Sequence, residues 1–206
     1  MKPVSIIAGI AVPLLRNNID TDTIIPSREM RSTGRTGLAD GLFAPWRYTD
    51  AAARLRDPDF ALNRSEAAGA RILLAGCNFG CGSSREHAVW ALAEYGIEAV
   101  VAPGFAPIFR SNCIRNGLLP VELPEDVVAR LQWQEVRIDL PAQTVSTGEA
   151  SWPFEIEAEA KEMLVGGVDA IDLTLSNLEH DMPPWLEADR ARRPWIYLAA
   201  RQGRGE

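Results

Sequence analysis

A repeated alternation of short apolar runs and glycine-terminated helical segments in the middle of the chain constrains the fold most strongly. Apolar runs at 71–75, 98–102 and 118–123 have the length and composition of buried strands. The two segments between them place apolar residues at helical spacing and end at Gly96 and Gly117, as many helices do. This order predicts parallel strands joined by right-handed helical crossovers, and therefore an α/β fold.

The flanking sequence predicts further strands around this centre. The apolar stretch Val4–Leu15 alternates well enough to form an opening strand. Three later segments are short and separated by turn residues, which predicts antiparallel hairpins: 136–140, 143–146 and 151–156. We expect residues 1–180 to form one domain and residues 181–206, which are rich in proline and tryptophan, to form a tail on the surface or around a partner.

The charge and cysteine content favour a cytoplasmic protein that binds neither nucleic acid nor membrane. The chain has 28 acidic and 21 basic residues, a formal net charge of −7, whereas nucleic-acid-binding faces are basic. Its N-terminal apolar stretch is interrupted and too short to cross a bilayer. The cysteines at 77, 81 and 113 form neither an even set nor a C-x-x-C pair, which indicates reduced thiols.

The segment Asn78–His87, NFGCGSSREH, lies where a predicted parallel strand enters a helix, a position where ligands collect in α/β sheets. Ser83 and Glu86 have the spacing of a capping box, and helix capping alone would account for both. Arg85 would then stand in the first turn, where a cation is disfavoured unless an anion binds beside it. With free backbone N–H groups and a guanidinium, the segment could instead bind a carboxylate next to an activatable serine.

Several other sites are excluded by the same segment. It has no third glycine for a dinucleotide site, no lysine for a phosphate loop and no G-x-S-x-G for a serine hydrolase. The chain contains two histidines, His87 and His180, and His87 is too near the serine in sequence to be a convincing base. Three cysteines cannot hold an iron–sulfur cluster unaided, because four ligands are expected.

A second polar segment, Asn18–Pro26 with the sequence NIDTDTIIP, has the composition of a turn before a strand, in which Asp and Thr side chains accept backbone hydrogen bonds. The loop after it contains three arginines among small residues, namely Arg28, Arg31 and Arg35. Such a cationic loop could cover an anionic substrate, or it could simply be solvated.

These segments carry a family resemblance. With N-I-D-T-D-x-I-I-P, N-F-G-C-G-S-S-R-E-H and the P-x-F-A-x-I-F segment Pro103–Phe109, residues 5–180 resemble the small subunits of 3-isopropylmalate dehydratases, which correspond to the swivelling domain of aconitases. The resemblance implies a three-layer β/β/α swivelling domain with a parallel sheet core and added β-hairpins. It also implies a hydro-lyase of leucine biosynthesis that is active only with a large subunit carrying a 4Fe–4S cluster, and no cofactor on this chain.

The resemblance also implies roles for individual residues toward a dicarboxylate substrate. Ser83 matches the catalytic base, while Ser84 and Arg85 match the residues that bind the substrate carboxylate. Arg35 matches a further substrate-binding arginine, and Arg28 is the substitute candidate for that role. Because the departing hydroxide needs a Lewis acid that this chain lacks, the chemistry also indicates a metal-bearing partner.

The sequence departs from the family pattern at Glu29 and Met30, where an aromatic residue and a leucine are usual in a loop that contacts the substrate's side chain. With a glutamate at this position, the sequence does not decide whether the substrate carries an isopropyl group. A related subunit acting on another 2-substituted malate, such as citramalate or citraconate, is therefore an alternative. A non-catalytic module that only binds a carboxylate is another.

Overall fold

The computed structural model describes residues 1–30, 34–178 and 182–201. The chain divides into two compact units, residues 1–167 and residues 168–206. The boundary predicted from the sequence, at residue 180, falls within the second of these units.

The first unit contains a main sheet and a small two-stranded ribbon. Its strands are β1 (Ile6–Leu14), β2 (Tyr48–Asp50), β3 (Leu55–Arg56), β4 (Ile72–Ala75), β5 (Ala99–Ala102), β6 (Leu119–Glu122), β7 (Glu135–Asp139), β8 (Thr144–Ser146) and β9 (Ser151–Pro153). Its helices are α1 (Thr21–Ile24), α2 (Ala44–Arg47), α3 (His87–Tyr95), α4 (Pro107–Asn116), α5 (Glu125–Arg130) and α6 (Ala158–Gly166). Short 3-10 helices occupy Ser27–Glu29, Ala39–Gly41, Ala61–Asn63 and Ser65–Ala67.

The main sheet joins a parallel half to an antiparallel half. Its strand order is β6-β5-β4-β1-β7-β8-β9. The pairs β6–β5, β5–β4 and β4–β1 are parallel, and the pairs from β1 to β9 are antiparallel. Strand β1 belongs to both halves, because residues 11–14 pair with β4 and residues 6–10 pair with β7. The predicted α/β class, with a parallel core and added hairpins, is confirmed.

The parallel half forms because its sequence buries apolar side chains on both faces. All four residues of β4 and all four of β5 are buried, as expected for strands covered on both faces. Helix α3 buries four small or branched side chains, those of Ala88, Val89, Ala91 and Leu92. Each fully buried leucine- or valine-sized side chain contributes roughly 1.5–3 kcal/mol.

The segment Asn18–Pro26 differs from the predicted turn before a strand. After β1 the chain forms α1, α2 and 3-10 turns, with β2 and β3 as the further strands. Asp20 explains the first of these changes, because its Oδ1 accepts a hydrogen bond from the Thr23 backbone N–H at 2.6 Å and caps α1. The aspartate that was expected to stabilise a turn therefore begins a helix.

The second unit is helical over its described residues. It contains α7 (Ala170–Leu178), α8 (Met182–Arg192) and a 3-10 helix at Pro194–Arg201. Within this unit Asp189 accepts hydrogen bonds from Arg193 and Tyr197. In the part of the chain that the structure describes, no helix has the length and apolar character needed to cross a membrane. That this segment covers a partner stays a prediction.

Candidate functional site

The two polar segments of the sequence meet at the carboxyl edge of the parallel strands. The Thr21 N–H donates to the Cys81 carbonyl at 2.9 Å, and the Gly80 N–H donates to the Ile19 carbonyl at 2.8 Å. The Thr21 hydroxyl donates to the Ser83 carbonyl at 3.0 Å. Segments about 60 residues apart in sequence thus form one hydrogen-bonded joint, which fixes the beginning of the loop after β4.

Aromatic side chains pack against the backbone of this loop. Gly80 has φ +77°, and a Cβ added there would lie 2.1 Å from Cγ of Phe109. Phe79 meets Phe109 edge to face with ring centroids 5.3 Å apart, and the Phe79 N–H donates to the Gly104 carbonyl at 3.1 Å. Glycine allows another group to approach the backbone closely. The approach that requires it is that of the Phe109 ring.

The serines of the loop are available for chemistry. Ser83 and Ser84 are both exposed. Among the described residues, neither hydroxyl has a hydrogen-bond partner in the protein. In the same part of the chain, the backbone N–H groups of Ser84, Glu86 and His87 donate to no protein acceptor. An exposed hydroxyl beside unpaired N–H groups is an arrangement that can stabilise negative charge on oxygen.

The capping box that the spacing of Ser83 and Glu86 allows is not formed in the described structure. Helix α3 begins at His87, later than the predicted start at Ser84, and its N-cap is Glu86, which makes no side-chain capping bond within the described residues. Arg85 therefore precedes the helix instead of lying in its first turn. The reason is that Glu86 Oε1 accepts a hydrogen bond from Asn116 Nδ2 at 2.7 Å and does not reach back to Ser83.

Arg85 has a carboxylate partner that the sequence did not predict. Its Nη1 forms an ion pair with Oδ1 of Asp22, from the N-terminal polar segment. The Arg85 side chain is 24% exposed and that of Asp22 is 57% exposed, so the pair lies at the surface of the joint. The two aspartates of the segment have different contacts, because Asp20 caps α1 and Asp22 orients Arg85. The sequence feature that could have indicated these contacts is the pair Asp20 and Asp22, two positions apart before an apolar run.

Arg35 lies against the outer face of α3. Its guanidinium carbon is 5.0 Å from the centroid of the Trp90 ring, a cation–π contact. The segment that follows is held by Glu94, whose carboxylate accepts three backbone hydrogen bonds from residues 37–39, at 2.5 to 2.9 Å. Burial alone would raise the pKa of Glu94, but these three N–H groups outweigh burial and lower it.

The remaining loop residues have other partners. Arg28 is largely exposed, with 63% of its side chain accessible. Glu29 is buried, and its Oε2 accepts a hydrogen bond from Arg54 Nη2 at 2.5 Å, which raises the pKa of Arg54. Met30 packs, partly buried, against the hydrophobic core. The carboxylate of Glu29 is therefore paired with two arginines, closely with Arg54 and at 3.7 Å with Arg28. Arg31 and His180 lie outside the described residues.

The side chains that could bind a metal ion are the His, Cys, Asp and Glu side chains of the described residues. Over residues 1–30, 34–178 and 182–201, no group of three or more His, Cys, Asp or Glu side chains is arranged to hold a metal ion. Cys113 is fully buried, and this burial raises the pKa of its thiol. Cys77 and Cys81 are partly exposed. These donors do not fit the four-ligand set of an iron–sulfur cluster.

Comparison with known proteins identifies the family of this chain. Residues 1–126 match the family model of the aconitase C-terminal domain. The chain is 53% identical over 207 residues to the 3-isopropylmalate dehydratase small subunit of Cupriavidus necator, which spans 96% of this chain and 99% of that protein. The chain belongs to the 3-isopropylmalate dehydratase small-subunit family. Members of this family are named as subunits of a dehydratase, that is, of a hydro-lyase.

Two further members of the small-subunit family extend the likeness. The 3-isopropylmalate dehydratase small subunit of Rhodospirillum centenum is 44% identical over 203 residues, covering 95% of this chain and 98% of its own. The crystal structure of a 3-isopropylmalate dehydratase chain from Methanocaldococcus jannaschii is 32% identical and superposes with a TM-score of 0.65. It covers 85% of this chain and 98% of the archaeal chain, so almost the whole archaeal fold is present here.

Proposed function

We propose that this chain is the small subunit of a 3-isopropylmalate dehydratase and acts in the isomerisation of 2-isopropylmalate to 3-isopropylmalate by dehydration and rehydration, a step of leucine biosynthesis. Near full-length relatives with that name support the proposal. The single observation that carries the mechanism is the exposed, unpartnered Ser83 hydroxyl two residues before an oriented Arg85, within the residues that the structure describes.

Ser83 is proposed as the base. As the alkoxide, its Oγ takes the proton from the carbon beside a substrate carboxylate, and the C–H electron pair becomes the second bond of the unsaturated diacid while hydroxide leaves. Rehydration returns a proton from the serine hydroxyl. A serine alkoxide needs strong stabilisation, and the unpaired backbone N–H groups of Ser84, Glu86 and His87 are near enough in sequence to supply it.

Arg85 and Ser84 are proposed to bind the substrate carboxylate. A guanidinium can donate two parallel hydrogen bonds to a carboxylate, and Arg85 retains N–H groups beyond the one that contacts Asp22. The contact with Asp22 supports this role because it restricts where the guanidinium can point before substrate binds. Arg35, resting on Trp90, is proposed as the second substrate arginine, and the exposed Arg28 remains its substitute.

A partner completes the proposed site. We assign a 4Fe–4S cluster to a large subunit, where it would act as the Lewis acid for the departing hydroxyl group. The donor groups described on this chain do not fit such a cluster. The proton transfer and the carboxylate binding are the contributions proposed for this chain.

Glu29 does not argue against an apolar substrate side chain. It stands where the family usually has an aromatic residue, but its carboxylate is buried and paired with Arg54. Because the ion pair neutralises this charge, Glu29 gives no reason to prefer citramalate or citraconate, and the names of the relatives support isopropylmalate. A panel of 2-alkylmalates tested on the reconstituted complex checks this, and a preference for the methyl substrate over the isopropyl substrate would reverse the assignment.

The central test is substitution of the proposed base. The chain is combined with its large subunit, and formation of the unsaturated diacid is followed by its absorbance. We expect Ser83→Ala to lower kcat by about a thousandfold, the loss typical of removing a general base. Ser151→Ala, at an exposed serine in β9, serves as the matched control and should leave kcat unchanged.

The same experiment separates catalysis from simple binding. If Ser83→Ala retains full activity in the complex, Ser83 is not the base. If the wild-type complex binds the dicarboxylate but forms no unsaturated product, the non-catalytic module is the correct description.

A further inference from the structure

Asn116 connects the end of α4 to the loop that precedes α3. It is the last residue of α4. Its Nδ2 donates to Oε1 of Glu86 at 2.7 Å and to the Asn112 carbonyl at 2.8 Å. Its Oδ1 accepts a hydrogen bond from Nε1 of Trp90 at 2.9 Å. Because an indole nitrogen can only donate, the amide must turn its oxygen to Trp90 and its NH₂ group to Glu86.

The contact with Glu86 fixes the far end of the serine loop. Glu86 directly follows Arg85 and is the N-cap of α3. The near end of the loop is already held, since Gly80 lies on Phe109 and Thr21 binds the Ser83 carbonyl. Asn116 therefore supplies the second anchor of a short loop that carries the proposed base.

The contact with Trp90 extends the same network to Arg35. One indole ring bonds to Asn116 through Nε1, supports the Arg35 guanidinium 5.0 Å from its centroid, and lies 4.7 Å from the His87 ring. Asn116 therefore binds Glu86, which follows Arg85 in sequence, and Trp90, which supports Arg35.

We propose that Asn116 is a positioning residue for the dehydratase site, which fixes Glu86 at the end of the Ser83–Arg85 loop and Trp90 beneath Arg35. This proposal rests on the function proposed above. Asn116 is not a catalytic residue, because its three hydrogen bonds are made to the protein's own groups.

A donor–acceptor exchange tests the proposal in the complex with the large subunit. Asn116→Asp keeps the size and the acceptor for Trp90 but sets two carboxylates against each other at Glu86. We expect kcat to fall about ten- to a hundredfold, since a displacement of about 1 Å costs up to that much. KM should change less, because Asp22 still orients Arg85 and Trp90 still supports Arg35.

Two further variants make this result specific. Glu86→Gln alone is the reference for the double variant, since its amide oxygen can still accept from Asn116. In the double variant Asn116→Asp with Glu86→Gln, the introduced amide can donate to the introduced carboxylate, while the bond to the Asn112 carbonyl stays lost. We expect kcat of the double variant to exceed that of Asn116→Asp by about fivefold or more. Asn112→Asp, one turn earlier on α4, is the matched control and should behave as wild type.

A measurement on the isolated chain keeps the test independent of catalysis. The backbone amide NMR signals of residues 83–85 should shift in Asn116→Asp, return in the double variant and stay in place in Asn112→Asp. The proposal is overturned if these signals do not move, if kcat of Asn116→Asp is unchanged, or if the double variant is no more active than Asn116→Asp. An inactive wild-type complex would instead count against the proposed function, while the NMR result would still decide the coupling.

Discussion

Two successive strand-to-helix connections of the same sheet differ in their length and in the side chains that they expose. Residues 76–86 connect β4 to α3, and residues 103–106 connect β5 to α4. Both follow a fully buried parallel strand, and both helices end at a glycine in the left-handed conformation. The first connection is long and exposes serines, whereas the second is short and enters α4 at Pro107.

The difference shows how one connection supports the other. Phe105 and Phe109, from the short connection and the helix after it, contact Phe79 in the long one. Asn116, at the other end of the same helix, binds Glu86. The long loop can therefore leave its serine hydroxyls unpaired, among the described residues, because its course is fixed by neighbouring packing and not by its own hydrogen bonds.

The largest expected effect, on both stability and activity, comes from adding a side chain at Gly80, where the long connection packs against Phe109. Gly80→Ala would place a Cβ 2.1 Å from Phe109 in a backbone conformation that alanine disfavours. We expect the free energy of unfolding to fall by about 3 kcal/mol and activity in the complex to be lost. Gly104→Ala is the matched control in the short connection, since no described heavy atom lies within 4 Å of its added Cβ. Urea unfolding of both variants measures the difference, and equal losses would refute the supporting contact.

A smaller effect is expected on KM, and it should differ between Arg85 in the long connection and Arg110 on α4. Arg85→Lys keeps the charge but loses the fork, so we expect KM to rise about ten- to a hundredfold, the loss of one strong charged hydrogen bond. Arg110→Lys is the matched change on α4, where the guanidinium pairs with Glu122 and Glu157 of the same chain. Steady-state kinetics of the complex should show KM unchanged for Arg110→Lys. An unchanged KM for Arg85→Lys would remove Arg85 from the carboxylate site.

The smallest expected effect concerns the outer face of α3, where Glu94 holds residues 37–39. Glu94→Gln should lower the free energy of unfolding at neutral pH by about 1 kcal/mol, as loss of a helix cap does. The pKa of Glu94 is lowered below its ordinary value of 4.5. Its stabilisation is therefore complete above that value and is lost as the pH falls through the folded-state pKa.

Urea unfolding at neutral pH and near pH 3 checks this sign. The difference between wild type and Glu94→Gln should shrink at the lower pH. Glu149→Gln, in the turn between β8 and β9, is the control and should show no such trend. A difference that grows toward acid pH would contradict the role of the Glu94 carboxylate.

Much of the parallel half was predictable because its signals are local. The runs that became β4, β5 and β6 are continuous apolar stretches, and α3 and α4 end at the predicted glycines. The start of α3 was not predictable in the same way. Ser83 and Glu86 satisfy the spacing of a capping box, but Glu86 binds Asn116, 30 residues further along the chain.

The same limit applies to the charged residues of the candidate site. Arg85 was expected in the first turn of a helix but lies before it, and its partner Asp22 is 63 residues away in sequence. Glu29 appeared from the sequence to face a substrate, and the structure pairs it with Arg54, 25 residues away. The catalytic and substrate-binding roles of Ser83, Ser84, Arg85, Arg35 and Arg28 stay predictions that the experiments above can decide.

The sequence by itself determined the order of strands and helices in the parallel half, the position of the serine loop at a strand end and the family to which the chain belongs. These properties depend on spacing along the chain, which periodicity and short motifs record directly. The tertiary structure alone decided which polar groups of the loop are paired and which are free. A hydrogen bond requires two atoms about 3 Å apart, and for Arg85, Glu86 and Glu29 the second atom comes from a distant part of the chain.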